Sequence, residues 1–394
     1  MVRGGGMNGL ELRGVTVVVG RPGTGKTTFC MRTAQEALRA GRKVLWVSLY
    51  EGKDLFLEEA AKLGYRLEGV DFWEAVAVQA EAFWSRLMDY ISERRPDLVV
   101  IDSVTPLVEG ADGRSLMLNA LYRALRPASI DVLMTAERGT PPFVEYIADN
   151  VVRMFLERTE EGVPERKMCV DKARGLPGGY CRQFDIIDSV GLVFFDELKP
   201  TPGRPVEIAT GSTLDDLVGG SFVGNTLLVG PAGAGKTRLA VKLASMAAAR
   251  GYKVVYRTFS EEPWQIKERA KAYGVDFDVV AIRLKPPSYG THVYEFYRLI
   301  NEARPDLIVS DGFDLEFRVY GRKAFEMNMR MLSALKEAGI AFIGTMSRTY
   351  GLANHVDNVL ALKFDDGGRK VEVVKSFRKP RRLVCRLSES LECD

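Results

Sequence analysis

The 394-residue sequence predicts an α/β protein made of two tandem domains, each a mostly parallel sheet covered by helices. Three observations carry that expectation. A glycine-rich turn occurs twice, as GRPGTGKT at 20–27 and GPAGAGKT at 230–237. The segments around the two turns match at a nearly constant offset of 210 residues. In both copies apolar runs of strand length alternate with stretches of helical spacing, the pattern of a parallel sheet with right-handed crossovers.

In chain order, VTVVV (15–19) and NTLLVG (225–230) are apolar runs of strand length that enter the two turns. Both turns read G-x-x-x-x-G-K-[ST], the P-loop pattern. Glycines allow successive backbone N–H groups to line one concavity, and the following helix adds the positive end of its dipole, so the turn suits a phosphate chain. The nucleotide-binding candidates are Gly20, Pro22, Gly23, Thr24, Gly25, Lys26, Thr27 and Thr28 in the first copy. In the second they are Gly230, Ala232, Gly233, Ala234, Gly235, Lys236, Thr237 and Arg238. The lysine reaches the β- and γ-phosphates, and Thr27 or Thr237 offers a hydroxyl to Mg²⁺. TTFCMRTAQEALRA and TRLAVKLASMAAAR then place apolar residues at helical spacing.

SLYE (48–51) answers TFSE (258–261), so Glu51 and Glu261 end corresponding strands. A carboxylate there faces the γ-phosphate and is the candidate for orienting or deprotonating water. RRPDLVVID (94–102) answers ARPDLIVSD (303–311). Asp102 and Asp311 are the expected Mg²⁺ ligands, joining Thr27 and Thr237. Ser103 follows the first aspartate and Gly312 the second. DVLMTAER (131–138) answers AFIGTMSR (341–348), and DNVV (149–152) answers DNVL (357–360). A fixed period this long means two copies of one fold. Prolines and glycine in LKPTPGRP (198–205) mark the boundary, with domains at 1–199 and 200–394. Ligands on such sheets sit at the carboxyl ends of the strands, where all these motifs fall.

Composition narrows the functional classes. No apolar run approaches the roughly 20 residues that span a bilayer, and MVRGGGMNG lacks the hydrophobic stretch of a signal peptide. Five cysteines without metal spacing and two histidines argue against zinc and fit a reduced, cytoplasmic location. Eight Asn and four Gln lean toward a heat-adapted source. The net charge is only +3. RKVEVVKSFRKPRRLVCR (369–386) carries eight basic residues against one acidic and could track a nucleic-acid backbone. Nucleic acid is nonetheless not the favoured partner, and the tract reads as a strand pair with surface charge. EAFWSRLMDYISE (81–93) reads as a core helix.

These residues resemble the RecA-like ATPases, most closely their KaiC and RadA-like branch. TGSTLDDLVGGSFVGNTLLVGPAGAGKT (210–237) is similar to the family's T-G-x-x-x-L-D-x-L-x-G-G run leading into the P-loop, and LMTAE (133–137) to the strand whose Thr and Glu close the site. KARG (172–175) resembles the K-x-R-G element that such subunits extend into a neighbour's ATP site. The resemblance spans nearly the whole chain in two copies. It implies a homo-oligomeric ring, usually six subunits, with ATP at the subunit interfaces. Lys172 and Arg174 are then trans-acting candidates, with Lys375 and Arg378 of KSFR (375–378) in the second copy.

The departures are specific. The first copy lacks the T-G-x-x-x-L-D run. The family's F-E-E doublet reads Leu49-Tyr50-Glu51 and Phe259-Ser260-Glu261, with Glu262 next, so the first glutamate is absent in both copies and hydrolysis is expected to be slow. Ala353 and Asn354 stand where the clock protein is phosphorylated, so autokinase activity is not expected. ERGTPPFVEYIAD (137–149), a short loop without basic excess, occupies the place of the recombinases' DNA-binding loop and argues against strand exchange. The leading expectation is a slow Mg²⁺–ATP hydrolase with the first domain more catalytic and the second structural or regulatory. The competing readings are a nucleotide-dependent signalling scaffold and a RadA-like DNA-repair accessory protein.

Overall fold

A computed structural model describes residues 12–75, 79–108, 113–175, 177–365, 368–378, 383–388 and 390–393. The N-terminal stretch 1–9 and the basic positions 379–382 of the charged tract lie outside them. The chain divides into two compact units, residues 1–159 with 164–197, and residues 160–163 with 198–394. No regular element occupies 198–206.

The first unit runs β1 (Val15–Gly20), α1 (Lys26–Arg39), β2 (Val44–Ser48), α2 (Lys53–Lys62), β3 (Asp71–Glu74), α3 (Ala80–Arg94), β4 (Leu98–Asp102), α4 (Thr105–Val108), α5 (Gly113–Ala120), β5 (Asp131–Glu137) and α6 (Phe143–Ile147). It ends in β6 (Asn150–Arg158), β7 (Pro164–Ala173), β8 (Tyr180–Ile187) and β9 (Gly191–Phe194). The sheet order is β3-β2-β4-β5-β1-β6-β7-β8-β9. Strands from β3 to β6 pair in parallel, and β6 to β9 form antiparallel hairpins.

The central strands are apolar on both faces because helices cover both. Val17, Leu45, Val47, Val99 and Ile101 pack with Phe83, Trp84 and Leu87 of α3. The alternate residues Val18, Trp46, Leu98 and Val100 pack with Phe29 of α1, Phe56 of α2, and Phe184 and Phe194 of the hairpins. The stretch 81–93 is therefore core, as its spacing predicts. DFWE at 71–74, too short and polar for the sequence pattern to single out, pairs along β2 as the edge strand. Residues 137–149, read as a loop, hold the one-turn helix α6.

The second unit opens with the small pair β10 (Glu207–Ile208) and β11 (Phe222–Val223) around α7 (Asp215–Val218). It continues β12 (Asn225–Val229), α8 (Lys236–Ala249), β13 (Val254–Thr258), α9 (Pro263–Lys271), β14 (Asp278–Ala281), α10 (Tyr289–Glu302), β15 (Leu307–Asp311), α11 (Leu315–Tyr320), α12 (Arg322–Ala338), β16 (Ala341–Met346), β17 (Asn358–Asp365), β18 (Gly368–Lys375) and β19 (Val384–Leu387). Its order, β14-β13-β15-β16-β12-β17-β18-β19, repeats that of the first unit up to the last hairpin strand. The chain thus has two mostly parallel sheets under helices, the architecture of tandem RecA-like domains.

The cysteines overturn one expectation. Cys169 and Cys181 form a disulfide, as do Cys385 and Cys393, and Cys30 is the free cysteine among the described residues. Residues 169 and 181 are direct cross-strand partners in β7 and β8. Sequence spacing carries no trace of that register, so cysteine usage does not argue for a reducing compartment. No helix among the described residues is long and apolar enough to cross a membrane.

Trp46 is fully buried, with its ring centroid 4.5 Å from that of Phe56. Its indole N–H has no hydrogen-bond partner. Trp46→Ala should lower stability by about 3–5 kcal/mol, and Trp46→Phe by distinctly less because it removes an unpaired donor while keeping a ring. Midpoints of urea unfolding for the two variants check the order.

Candidate active sites

Each P-loop ends in a glycine with a left-handed backbone, Gly25 at φ 99° and Gly235 at φ 91°. An L side chain is strained there, which is why the pattern requires glycine. α1 and α8 begin at the next residue with no side-chain cap and no acidic residue in the first turn. Their first N–H groups are left to an anion.

The aspartates ending β4 and β15 tie three elements together. Thr27 Oγ1 donates to Asp102 Oδ2 at 2.7 Å, and Thr135 of β5 donates to Asp102 Oδ1. In the second unit Thr237 and Thr345 both donate to Asp311 Oδ1, at 3.1 and 2.5 Å. Burial raises the Asp311 carboxyl, and the Thr345 and Thr237 hydrogen bonds oppose it. Its Oδ2 is buried beside the Tyr256 hydroxyl without a well-directed hydrogen bond. That orphaned oxygen fits a cation. Among the described residues no group of three or more His, Cys, Asp or Glu forms a metal cage. The donor set is therefore one carboxylate and one hydroxyl, which suits Mg²⁺ completed by water and phosphate oxygens.

The P-loop lysines differ. Lys26 Nζ donates to the Gly20 and Arg21 carbonyls at 3.0 and 3.3 Å and pairs with Glu137 Oε1 at 2.8 Å. Lys236 Nζ donates to the Gly230 and Pro231 carbonyls at 2.8 and 2.9 Å. Burial lowers its pKa, and the carboxylates of Asp314 and Asp311 oppose that. Behind this lies an exchange of side chains. The Glu137 backbone N–H donates to Thr105 Oγ1, and the Ser347 N–H to Asp314 Oδ2. The acid sits on the β5 strand end in the first unit and on the loop after β15 in the second, with the hydroxyl at the opposite position.

The two glutamates are held alike by their backbones. The Glu51 N–H donates to Ser48 Oγ at 3.1 Å, and the Glu261 N–H to Thr258 Oγ1 at 3.0 Å. Glu262 is committed elsewhere, capping α9 in a box with Gln265 and pairing with Arg283. The surroundings of the carboxylates diverge. Glu51 is pushed up to about 7, first by burial and then by the Glu59 and Asp102 carboxylates. Glu261 Oε2 lies 2.6 Å from Arg269 Nη1.

A cleft of 500 Å³ adjoins the first P-loop, lined by Gly20, Thr24, Arg21, Arg138 and Arg153. One of 570 Å³ adjoins the second, lined by Gly233, Lys236, Thr237, Arg238, Glu261 and Arg269. Both lie within the ~300–1,000 Å³ range of ligand clefts.

The remaining candidates are engaged within their own chain. Lys172 Nζ donates to the Tyr146 and Ala148 carbonyls at 2.9 and 2.6 Å, closing the C-terminal end of α6. Lys375 Nζ does the same to the Ala353 and Asn354 carbonyls. Arg174 lies 3.3 Å from Asp149, with two-thirds of its side chain exposed (66%). Arg378 is docked on Glu207 at 2.7 Å and Ser221 at 2.8 Å, away from the second P-loop cleft's lining. Sequence reasoning passed over Glu59, Arg269, Asp314 and Ser347, although each stands at the repeat offset from a counterpart of different charge.

A family model described as "ATPase: KaiC" matches residues 6–199 and 208–283, together more than half the chain. The circadian clock protein KaiC2 of Synechocystis sp. is 25% identical over 341 residues, 75% of this chain and 59% of that protein. The circadian clock oscillator protein KaiC of Acaryochloris marina is 25% identical over 80% of this chain and 69% of its own length. The DNA repair and recombination protein RadB of Methanosphaera stadtmanae is 26% identical over 43% of this chain and 74% of its own length. The match thus spans less than two-thirds of the KaiC2 relative.

Two outcomes follow from the charges. An incoming phosphate must displace Glu137 from Lys26. In a Lys236→Ala chain, Glu137→Gln should tighten ATP at the first site about fivefold by calorimetry, the size of a half-exposed ion pair. Weaker binding would mean that Glu137 assists the nucleotide instead. If Glu51 accepts a proton, it works ionised, so turnover at the first site should rise as pH passes through about 7. Glu59→Gln removes a like charge and should move that midpoint to lower pH.

Proposed function

This chain belongs to the KaiC ATPase family, and on that premise we propose that it binds one Mg²⁺–ATP in each unit and hydrolyses it slowly, mainly in the first. Residues 1–199 and 200–394 act as the two ATPase domains. Lys26 and Lys236 hold the β- and γ-phosphates, and Thr27 with Asp102, and Thr237 with Asp311, hold Mg²⁺. The bound ion neutralises the charge that builds on the phosphate oxygens. Glu51 orients the attacking water and takes its proton. The observation that carries the asymmetry is the charge beside each glutamate. Glu51 faces carboxylates and no cation pairs with it among the described residues, whereas Glu261 is ion-paired with Arg269.

The copies assemble as a homo-oligomeric ring, with six subunits as the working number. Support comes from Arg174, which is exposed at the end of β7 where it can reach a neighbour's ATP. Arg378, held by Glu207 and Ser221, is less free to do so. The second unit serves as a static, regulatory nucleotide site. A cytoplasmic location agrees with two disulfides in the heat-adapted setting that low Asn and Gln content points to.

Calorimetry should give two ATP per chain, with Lys26→Ala and Lys236→Ala each removing one. Glu51→Gln should abolish most ATP turnover, by about a hundredfold, the lower range for a positioned base. Glu261→Gln should leave turnover nearly unchanged. The reverse order would overturn the assignment of hydrolysis to the first unit.

A further inference from the structure

The two units keep the same backbone around their glutamates and change one side chain beside each. α2 and α9 both begin two residues after the glutamate, at Lys53 and Pro263. The seventh residue of the helix is Glu59 in one and Arg269 in the other, each eight positions past its glutamate. The helical register therefore brings the same position back toward the strand end in both units. In the second unit it delivers a guanidinium 2.6 Å from Glu261 Oε2. In the first it delivers a carboxylate that repels Glu51.

We propose that Arg269 is a positioning residue that holds Glu261 out of water activation, and that the charge at this one helix position, Glu59 or Arg269, decides which P-loop site of the chain turns over. The proposal rests on reading Glu51 and Glu261 as the water-orienting carboxylates. Three observations carry it. Glu261 is three-quarters buried, its side chain 24% exposed, so its oxygens have few other places to turn. Arg269 and Glu261 line the same cleft as Lys236 and Thr237, which puts the pair at the phosphate end of the site. The backbone anchors of Glu51 and Glu261 are alike, so the difference between the sites is one of charge and not of placement. The guanidinium 2.6 Å from Glu261 Oε2 is an ion-pair contact without a well-directed hydrogen bond, and it competes with a water for that oxygen. Glu51, raised first by burial and then by Glu59 and Asp102, has no cation paired with it among the described residues.

The test uses the full-length chain carrying Lys26→Ala, which leaves only the second site to read. Arg269→Gln should raise its ATP turnover at least about tenfold, toward the effect of a freed base, with calorimetric ATP affinity unchanged. Arg269 is exposed at the helix surface, so the variant should fold. Arg269→Lys, which keeps the ion pair, should stay at the parent rate. Adding Glu261→Gln to Arg269→Gln should return turnover to the parent level. In the reciprocal Lys236→Ala chain, Glu59→Arg should lower first-site turnover about tenfold with affinity unchanged. Unchanged turnover in both Arg269→Gln and Glu59→Arg, with Glu51→Gln still inactive, would overturn this inference and leave the reading of Glu51 standing. A gain in Arg269→Gln that survives Glu261→Gln would overturn the reading of Glu261 itself. Loss of turnover and of affinity together in Arg269→Gln would make Arg269 a phosphate contact and likewise overturn the proposal.

Discussion

Each unit is organised around one aspartate at the carboxyl end of a buried strand. Asp102 accepts from Thr27, at the start of the P-loop helix, and from Thr135, on the neighbouring strand. Asp311 accepts from Thr237 and Thr345 in the same way. The Asp102 backbone carbonyl takes the N–H of Leu49, and that of Asp311 the N–H of Phe259, which leads the chain to the glutamate two residues on. One side chain and its own carbonyl thus fix the relative positions of the P-loop, the candidate metal ligands and the candidate base. Such a carboxylate sits in a poorly screened environment, so its partners must be matched closely. That demand explains why both units retain the two threonines while residues a few ångströms away have changed.

Around this frame the two units have diverged by moving charge. The acid beside the P-loop stands on the strand end as Glu137 in one and on the following loop as Asp314 in the other, with Thr105 and Ser347 filling the vacated places. Both arrangements satisfy the same backbone N–H, so the exchange costs little in folding. It does alter what each lysine meets in the absence of nucleotide. Phosphoryl transfer depends on positioning and electrostatics more than on covalent chemistry. Substitutions that leave the backbone intact and relocate a charge therefore change the electrostatics of each P-loop while the fold stays the same.

The antiparallel hairpins beyond β6 set the other candidate side chains. Lys172 lies in β7, three residues from the Cys169–Cys181 bridge to β8, and its ammonium closes the last carbonyls of α6. Lys375 closes the carbonyls of Ala353 and Asn354 in the second unit. In both, a lysine at a strand end holds the segment that follows β5 or β16. The arginine two or three residues later is exposed in one unit and docked in the other: Arg174 is followed by Gly175, whereas the Arg378 side chain lies against Gly219 and pairs with Glu207.

The sequence by itself determined what depends on near neighbours in the chain. The P-loops, with glycines forced by left-handed backbone at Gly25 and Gly235, were legible because that requirement is local. So were the parallel strands, whose burial on both faces leaves an unbroken apolar run, and the duplication, because its offset scarcely drifts. Asp102 and Asp311 stood out as candidate metal ligands because a strand ending in Asp lies at a fixed distance from each P-loop. Only the tertiary structure decided which charges meet. Lys26 and Glu137 are 111 residues apart and touch because β1 lies beside β5 in the sheet. Arg269 meets Glu261 through the turn of α9, and Cys169 meets Cys181 through the register of a hairpin. The physical reason is range. Backbone preference and burial pattern are written residue by residue, whereas an ion pair or a disulfide depends on strand order and register, which no single stretch of sequence encodes.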